Sequence, residues 1–186
     1  MVKMPIWTST MFFRDYYHRT NAIDFQIELY LYVLKNRWTI ALYDTYYDYT
    51  WANKTNSPLK AKTKLTFKDW TFFIPDAILK IKLQNQIKIF IFEIYNWNDT
   101  KRVVSQLCKH IQSLKEWLPS IALNENIGSR VLLLFDTKNA SEAVINRISN
   151  DDRFENFINL FLFNDADTIK SNFNSWHNAK NEHIEL

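Results

Sequence analysis

The chain has 186 residues, of which 47% are hydrophobic and 23% are charged, as in a globular protein with a single core. Its one cysteine, Cys108, excludes an internal disulfide or a cysteine-based zinc cluster, and its one glycine, Gly128, excludes the glycine-rich loops that cradle phosphates. No apolar stretch approaches the roughly 20 residues that span a bilayer. The first ten residues also lack the apolar block of a signal peptide, so we expect no membrane association and a cytoplasmic location.

The net charge of +3 is unevenly distributed. Between Lys54 and Lys109 there are eleven lysines and arginines against four acidic residues, a net +7, and the rest of the chain carries −4. The basic segment contains Asp76 and Glu93, two acids in unusual surroundings. A basic surface around an acidic centre suits a phosphodiester substrate, because phosphates need neutralising and a metal ion needs anionic ligands.

The first third of the chain predicts two helices and a strand. Residues 10–20 and 22–36 have helical patterns, with Asn21 as the N-cap of the second helix. The apolar face of that helix is predicted to contain Ile23, Ile27, Tyr30, Leu31 and Leu34. A strand follows in 37–49, then a polar, lysine-rich segment in 52–64 that is a loop or a hairpin arm, and an extended segment in 65–75.

The remainder predicts strands that alternate with helices. Two strands, about Ala77–Leu83 and Ile87–Tyr95, form a hairpin, and a helix over 100–117 begins at Asp99 or Thr100. A buried strand in 130–136, a helix in 139–149, a strand in 157–164 and a closing helix in 165–177 complete the order. This order indicates an α/β fold with a mixed β-sheet flanked by helices.

The predicted hairpin carries an acid on each strand. Pairing residue 83 with residue 87 places Asp76 opposite position 94, within one residue of Glu93. Neighbours on adjacent strands are about 5 Å apart, so both carboxylates can share one Mg²⁺ or Mn²⁺. In the alternative interpretation, Pro75 and Asp76 only form a turn, and Glu93 pairs with a lysine such as Lys80 or Lys82.

The motifs of this hairpin resemble a known nuclease signature. Pro75-Asp76-Ala77 followed by Glu93 on the next strand is similar to the PD-(D/E)xK signature of restriction-endonuclease-like enzymes. More specifically, the chain resembles the replication-relaxation family of plasmid and mobile-element proteins. That family has P-D-A, a strand that ends in E-x-D-x-G-T, and a helix with a lysine nine residues after the threonine; Thr100 and Lys109 have this spacing.

The resemblance extends from about Tyr17 to Ile169 and includes YYHRTNAIDFQIEL, RVLLLFDTKNASEAVINRI and FLFNDADTI. It implies a restriction-endonuclease-like (PD-(D/E)xK) core and a role in plasmid replication, DNA relaxation or mobilisation. The family usually has a winged-helix region before that core. We expect residues 1–186 to form a single domain without that region.

The resemblance also assigns the site. It implies that Asp76 and Glu93 hold Mg²⁺ or Mn²⁺, with Asp99 or a water as a further ligand. Position 95 is tyrosine where the family has an acid and the wider signature has lysine. Position 99 is aspartate in place of the family's glycine, or the loop there is built differently. Lys109 is our candidate for the missing catalytic lysine, with Lys82 and Lys88 as alternatives, because a cation near the phosphate stabilises developing charge.

Other residues are candidates for binding DNA or a partner protein. Lys60, Lys62 and Lys64 would line one face of a strand, and Lys101 and Arg102 begin the helix after Thr100. The aromatic cluster Tyr43–Trp51 can stack single-stranded bases or form a homodimer surface, although packing in the core is the alternative. We expect His18 to be a surface or capping residue, and we assign no role to His177 or His183.

These observations lead to three hypotheses. The first is a Mg²⁺-dependent nuclease or nickase of a plasmid or mobile element, which acts on DNA with other replication or mobilisation proteins. The second is a catalytically inactive DNA-binding module of a replication or relaxosome complex, which the tyrosine at position 95 favours. The third is a protein-interaction domain that uses its aromatic patches.

Overall fold

A five-stranded mixed sheet lies at the centre of the computed structural model, which describes residues 6–48, 61–96 and 99–186, with side chains from Tyr16 onwards. The strands are β1 (Thr39–Thr45), β2 (Leu65–Thr66), β3 (Phe72–Phe73), β4 (Ala77–Leu83), β5 (Gln86–Tyr95), β6 (Ser129–Phe135) and β7 (Phe161–Asp165). The helices are α1 (Ile6–Lys35), α2 (Thr100–Lys115), α3 (Leu118–Ala122), α4 (Lys138–Ile148) and α5 (Ala166–Ser171). Short 3₁₀ turns span Asp152–Phe154 and Ile158–Leu160.

The connections between the strands explain their directions. The strand order is β1-β4-β5-β6-β7, and β2 and β3 form a separate two-stranded hairpin. β4 and β5 are antiparallel because a two-residue turn joins them. β5, β6 and β7 are parallel because helices α2 and α4 provide the long crossovers that parallel pairing requires. The expected mixed α/β sheet with flanking helices is therefore confirmed.

Two apolar cores cover the two faces of the sheet. On β5 the side chains alternate, so that Ile91 and Tyr95 face α2 and α4, whereas Phe90 and Ile94 face α1 and α5. The β2–β3 hairpin joins the α2 side through Leu65, a member of that core. Because each face is covered, β6 can be the near-continuous apolar run that the sequence shows.

The N-terminal region is one helix, where we predicted two. α1 continues through Asn21, so this residue is not an N-cap. Its side chain is buried, and its amide nitrogen donates a 2.6 Å hydrogen bond to Oδ1 of Asp136, just after β6. A buried amide needs a partner, and a carboxylate on another element supplies it. The sequence pattern could not reveal this long-range contact.

The predicted apolar face of α1 is also wrong. Phe25, Leu29 and Val33 are the residues that pack on the sheet. The five residues of the predicted apolar face are instead exposed: Ile23, Ile27, Tyr30, Leu31 and Leu34. α1 is therefore apolar on two opposite faces, and spacing alone cannot tell which of them meets the sheet.

Three further boundaries differ from the predictions. The extended segment 65–75 is the small β2–β3 hairpin, and the last strand begins only at Phe161, after a 3₁₀ turn. The closing helix ends at Ser171. The chain then returns to the sheet, where His177 forms an isolated bridge with Phe163 on β7, and Trp176 is fully buried. The segment after α5 therefore covers the edge strand, as exposed edges require.

None of the helices within the described ranges is both long enough and apolar enough to cross a membrane.

Candidate functional site

Asp76 and Glu93 come together at the end of the β4–β5 pair. The observed register pairs Ala77 with Phe92, one residue different from our prediction, so its continuation places Asp76 opposite Glu93. Because side chains alternate along a strand, Glu93 lies on the same face as Ile91 and Tyr95, towards α2. The hairpin therefore brings the two predicted acids together at one end of the β4–β5 pair.

Glu93 contacts His110, a histidine that we did not predict from the sequence as a site residue. Its Oε1 lies 3.0 Å from Nε2 of His110, on α2, and its side chain is only 14% exposed. Burial raises the pKa of the Glu93 carboxyl well above its usual value, and the negative charge of Asp76 raises it further. Burial also lowers the pKa of His110 to about 3, so the imidazole is neutral and does not compensate an ionised Glu93.

Glu93 contacts His110 and not Lys80, one of the two lysines that the alternative interpretation gave it as a partner. Lys80 instead forms an ion pair with Glu125, after α3. Nδ1 of His110 is buried and has no hydrogen-bond partner among the residues that the structure describes. The imidazole therefore contacts Glu93 through Nε2 alone. Its ring packs edge-on against Phe73, with 5.0 Å between the ring centroids.

Asp76 is held by the backbone and by a second histidine. Its Oδ2 accepts a 2.8 Å hydrogen bond from the backbone N–H of Ile94, and its Oδ1 lies 3.2 Å from Nε2 of His18 on α1. The Asp76 and His18 side chains are 19% and 20% exposed. Our assignment of His18 to a surface or capping role is therefore wrong. The signal that could have identified His18 was its place in the resembling segment before Asn21.

The two acids line a cavity of about 320 Å³, which we call the carboxylate cavity. Its wall includes the start of α2, where Asp99 is the N-cap and accepts a 3.1 Å hydrogen bond from the backbone N–H of Arg102. The expected cap is thus confirmed. The guanidinium-bearing Arg102 and the amide-bearing Gln106 line the same cavity. It therefore combines carboxylates, a cation and hydrogen-bonding groups.

Tyr95 occupies the position where the nuclease signature has lysine. Its side chain is 5% exposed, and its hydroxyl has no hydrogen-bond partner within the described part of the chain. Burial raises the pKa of this hydroxyl, and the charges of Glu93 and Asp76 raise it further, so it remains protonated. Tyr95 therefore adds a neutral residue, and not a cation, to the wall of the carboxylate cavity.

The predicted lysines lie away from this cavity. Lys82 is six residues along β4 from Asp76, about 20 Å, and Lys88 is five residues along β5 from Glu93, about 17 Å. Nζ of Lys88 instead lies 5.8 Å from the centroid of the Trp38 ring. Lys109 is exposed on α2, two turns beyond Arg102. None of the cavity-lining residues that the structure describes is a lysine.

Of the lysines predicted to bind DNA from one face of a strand, Lys62 and Lys64 lie within the described residues. Lys60 lies outside the described residues, as do the last three residues of the aromatic cluster, 49–51. Lys62 is in a turn and forms a 3.3 Å ion pair with Asp44, and Nζ of Lys64 lies 4.6 Å from the Phe72 ring centroid. Neither of these two residues belongs to a strand, so the strand that the prediction requires is not present at Lys62 and Lys64. Lys101 is exposed on the first turn of α2.

A second cavity, of about 340 Å³, adjoins the first between α1 and the end of β1. We call it the tyrosine pocket, after Tyr43, Tyr46 and Tyr47 on its wall. It shares His18, Tyr46, Asp76 and Ile94 with the carboxylate cavity. The first part of the predicted aromatic cluster therefore borders the candidate site.

Within the described ranges, no three His, Cys, Asp or Glu side chains are arranged as a metal site. A cation at Asp76 and Glu93 would therefore take two carboxylates from the protein and its other ligands from water or substrate. Mg²⁺ typically binds in this way, through one or two carboxylates with several waters retained.

Compared with known proteins, the chain matches no family model, no curated protein and no solved structure.

Proposed function

We propose that the chain is a divalent-cation-dependent nuclease or nickase domain that acts on DNA. The observation that carries the proposal is the meeting of Asp76 and Glu93 at one end of the β4–β5 pair, beside Arg102 in a solvent-connected cavity. The PD-(D/E)xK resemblance implies an aspartate at the start of one strand and an acid on the next. Asp76 precedes β4 and Glu93 lies on β5, as that signature requires. The restriction-endonuclease-like core and the plasmid or mobile-element role that we propose rest on this resemblance.

The chemistry of the two carboxylates fits a hard cation. Both offer oxygen ligands, which Mg²⁺ and Mn²⁺ prefer. Burial and the charge of Asp76 disfavour ionised Glu93, and a cation between the two groups would remove that cost. Bound there, Mg²⁺ or Mn²⁺ would polarise a phosphate oxygen and lower the pKa of a bound water.

The protein's own groups have separate roles in this proposal. His110 orients Glu93 through its Nε2, and the Ile94 N–H and His18 orient Asp76. Arg102 takes the role for which we proposed Lys109, because it lines the cavity and a guanidinium matches the geometry of a phosphate. The Tyr95 hydroxyl is buried behind the cavity wall and is assigned no substrate contact.

Conversion of supercoiled plasmid to open circles in Mn²⁺ tests this function. We expect the wild-type chain to nick the plasmid. Asp76→Asn should nick it at least about 100-fold more slowly, since the lost carboxylate is a cation ligand. Asp44→Asn is the matched control, because Asp44 pairs with Lys62 and does not line the cavity. Equal nicking by the wild type and Asp76→Asn would contradict the proposal.

A second candidate function is DNA binding without cleavage. The tyrosine at position 95 favours it, because a neutral hydroxyl replaces the positive charge of the signature lysine. In that case the wild-type chain binds plasmid DNA in Mn²⁺ and leaves it supercoiled. The binding still weakens with salt, because phosphate contacts release counterions.

A further inference from the structure

The tyrosine pocket lies directly beside the two acids and is joined to them by the backbone. The N–H of Tyr46 donates a 3.0 Å hydrogen bond to the carbonyl oxygen of Asp76. Asp48 fixes the turn after β1, because its Oδ2 accepts a 2.8 Å hydrogen bond from the N–H of Thr45. The tyrosine wall is therefore held next to the carboxylate cavity by defined contacts at the end of β1.

The pocket has an apolar floor and an aromatic wall. Ala22 from α1, Ala77 from β4 and Phe92 from β5 form part of the floor. On the wall, the rings of Tyr46 and Tyr47 are 3.8 Å apart between centroids, and their hydroxyls are hydrogen-bonded. This combination suits a flat, apolar ring system, because aromatic faces stack on one another.

The rim of the pocket is polar. Arg19 lines it and donates from Nε to the Tyr47 hydroxyl at 3.2 Å, and Gln26 lines it from about two turns further along α1. An amide offers both a donor and an acceptor, as the edge of a nucleobase does. The volume of about 340 Å³ lies at the small end of the range of about 300–1,000 Å³ for ligand pockets, so it suits one base.

We propose that the tyrosine pocket binds one unpaired base of a single-stranded DNA whose phosphate lies in the carboxylate cavity. The inference rests on the proposed function and adds the form of the substrate. The two cavities share His18, Tyr46 and Asp76, so a base and its neighbouring phosphate can occupy them together. A duplex keeps its bases stacked and paired and would have to extrude one to reach the pocket.

Fluorescence anisotropy with three probes tests the inference at a fixed salt concentration in Ca²⁺. The probes are a labelled twelve-nucleotide oligothymidylate, an abasic strand of equal length and a duplex of equal length. We expect the wild type to bind the oligothymidylate roughly ten-fold or more tightly than the abasic strand, which is the effect of stacking one base. Because the two strands have equal numbers of phosphates, the difference isolates the base.

Two variants change the pocket without changing a group in the carboxylate cavity. Tyr47→Ala removes part of the wall, and Ala22→Leu fills part of the floor. Each should reduce the preference for the oligothymidylate to about two-fold or less. Tyr17→Ala is the matched control, because Tyr17 is an exposed α1 tyrosine that lines neither cavity, and it should retain the preference.

Melting in Mn²⁺ on the same variants separates this inference from the proposed function and shows that they fold. A preference that the pocket variants lose supports the base pocket, whether or not Mn²⁺ stabilises the protein. Equal binding of the oligothymidylate and the abasic strand overturns the inference, even where the Mn²⁺ shift is present. A preference that persists in both pocket variants, tighter binding of the duplex, or no binding of any probe also overturns it.

Discussion

Glu93 lies where an ionised carboxylate is costly, since its side chain is 14% exposed and its histidine neighbour is neutral. The sequence showed an acid in an otherwise apolar strand, and that anomaly was sufficient to select Glu93. The partner could not be inferred, because His110 is 17 residues away on another element and its sequence neighbours give no ligand spacing. Contacts of this kind depend on how α2 packs on the sheet.

The raised pKa of Glu93 predicts a pH-dependent stability in the absence of divalent cations. Between the usual glutamate pKa of about 4.3 and the raised value in the native state, the folded protein holds a proton that the unfolded chain has released. The contribution of Glu93 to the free energy of unfolding therefore falls as pH rises through that window, whereas that of His110, whose pKa is lowered from 6.5 to about 3, rises between those two values. Glu93→Gln has no carboxyl to titrate at this position. Its free energy of unfolding relative to the wild type should therefore rise with pH, by about 1.4 kcal/mol for each unit by which the pKa of Glu93 is raised.

Urea unfolding in EDTA at pH 4 and pH 8 measures this difference. Glu155→Gln is the matched control, because Glu155 is exposed, and its stability relative to the wild type should be nearly the same at both pH values. A Glu93→Gln variant whose relative stability does not increase between pH 4 and pH 8 would show that Glu93 is not buried as described.

At the scale of elements, the two strands of the central hairpin were predicted well and α1 was not. The bounds of β4 agree with the prediction, and those of β5 differ by one residue, because alternating β-branched and aromatic residues are bounded by a polar turn. α1 carries apolar residues on two faces, so its helical spacing is compatible with either face packing on the sheet. Tertiary packing selected the face with Phe25 and Leu29, and no local signal encodes that choice.

A pair of alanine substitutions on α1 tests this orientation. Leu29 is fully buried against the sheet, so Leu29→Ala should lower the free energy of unfolding by about 2–5 kcal/mol. Ile27 lies two residues earlier on the opposite face and is 51% exposed, so Ile27→Ala should change it by about 0.5 kcal/mol or less. Urea unfolding gives both values, and a larger loss for Ile27→Ala would reverse the assignment of the two faces.

At the scale of the whole molecule, the fold class followed from the order of elements, and the position of the site followed from the hairpin. The uneven charge led us to expect a phosphodiester substrate but did not show which cations would lie near the two acids. Lys62 forms an ion pair with Asp44. Arg102 lines the carboxylate cavity, because the Asp99 cap fixes the start of α2 beside β5. Charge along the sequence is thus a poor guide to charge in a site, because folding decides which side chains converge.

The central claim is that Asp76 and Glu93 form a cation site, and the melting temperature with and without Mn²⁺ tests it most directly. At a Mn²⁺ concentration of about a hundred times the dissociation constant, the wild type should gain about 2.7 kcal/mol. Glu93→Gln should show no shift, and Glu155→Gln should show the wild-type shift. No shift in a folded wild-type protein, or an equal shift in Glu93→Gln, would contradict the account.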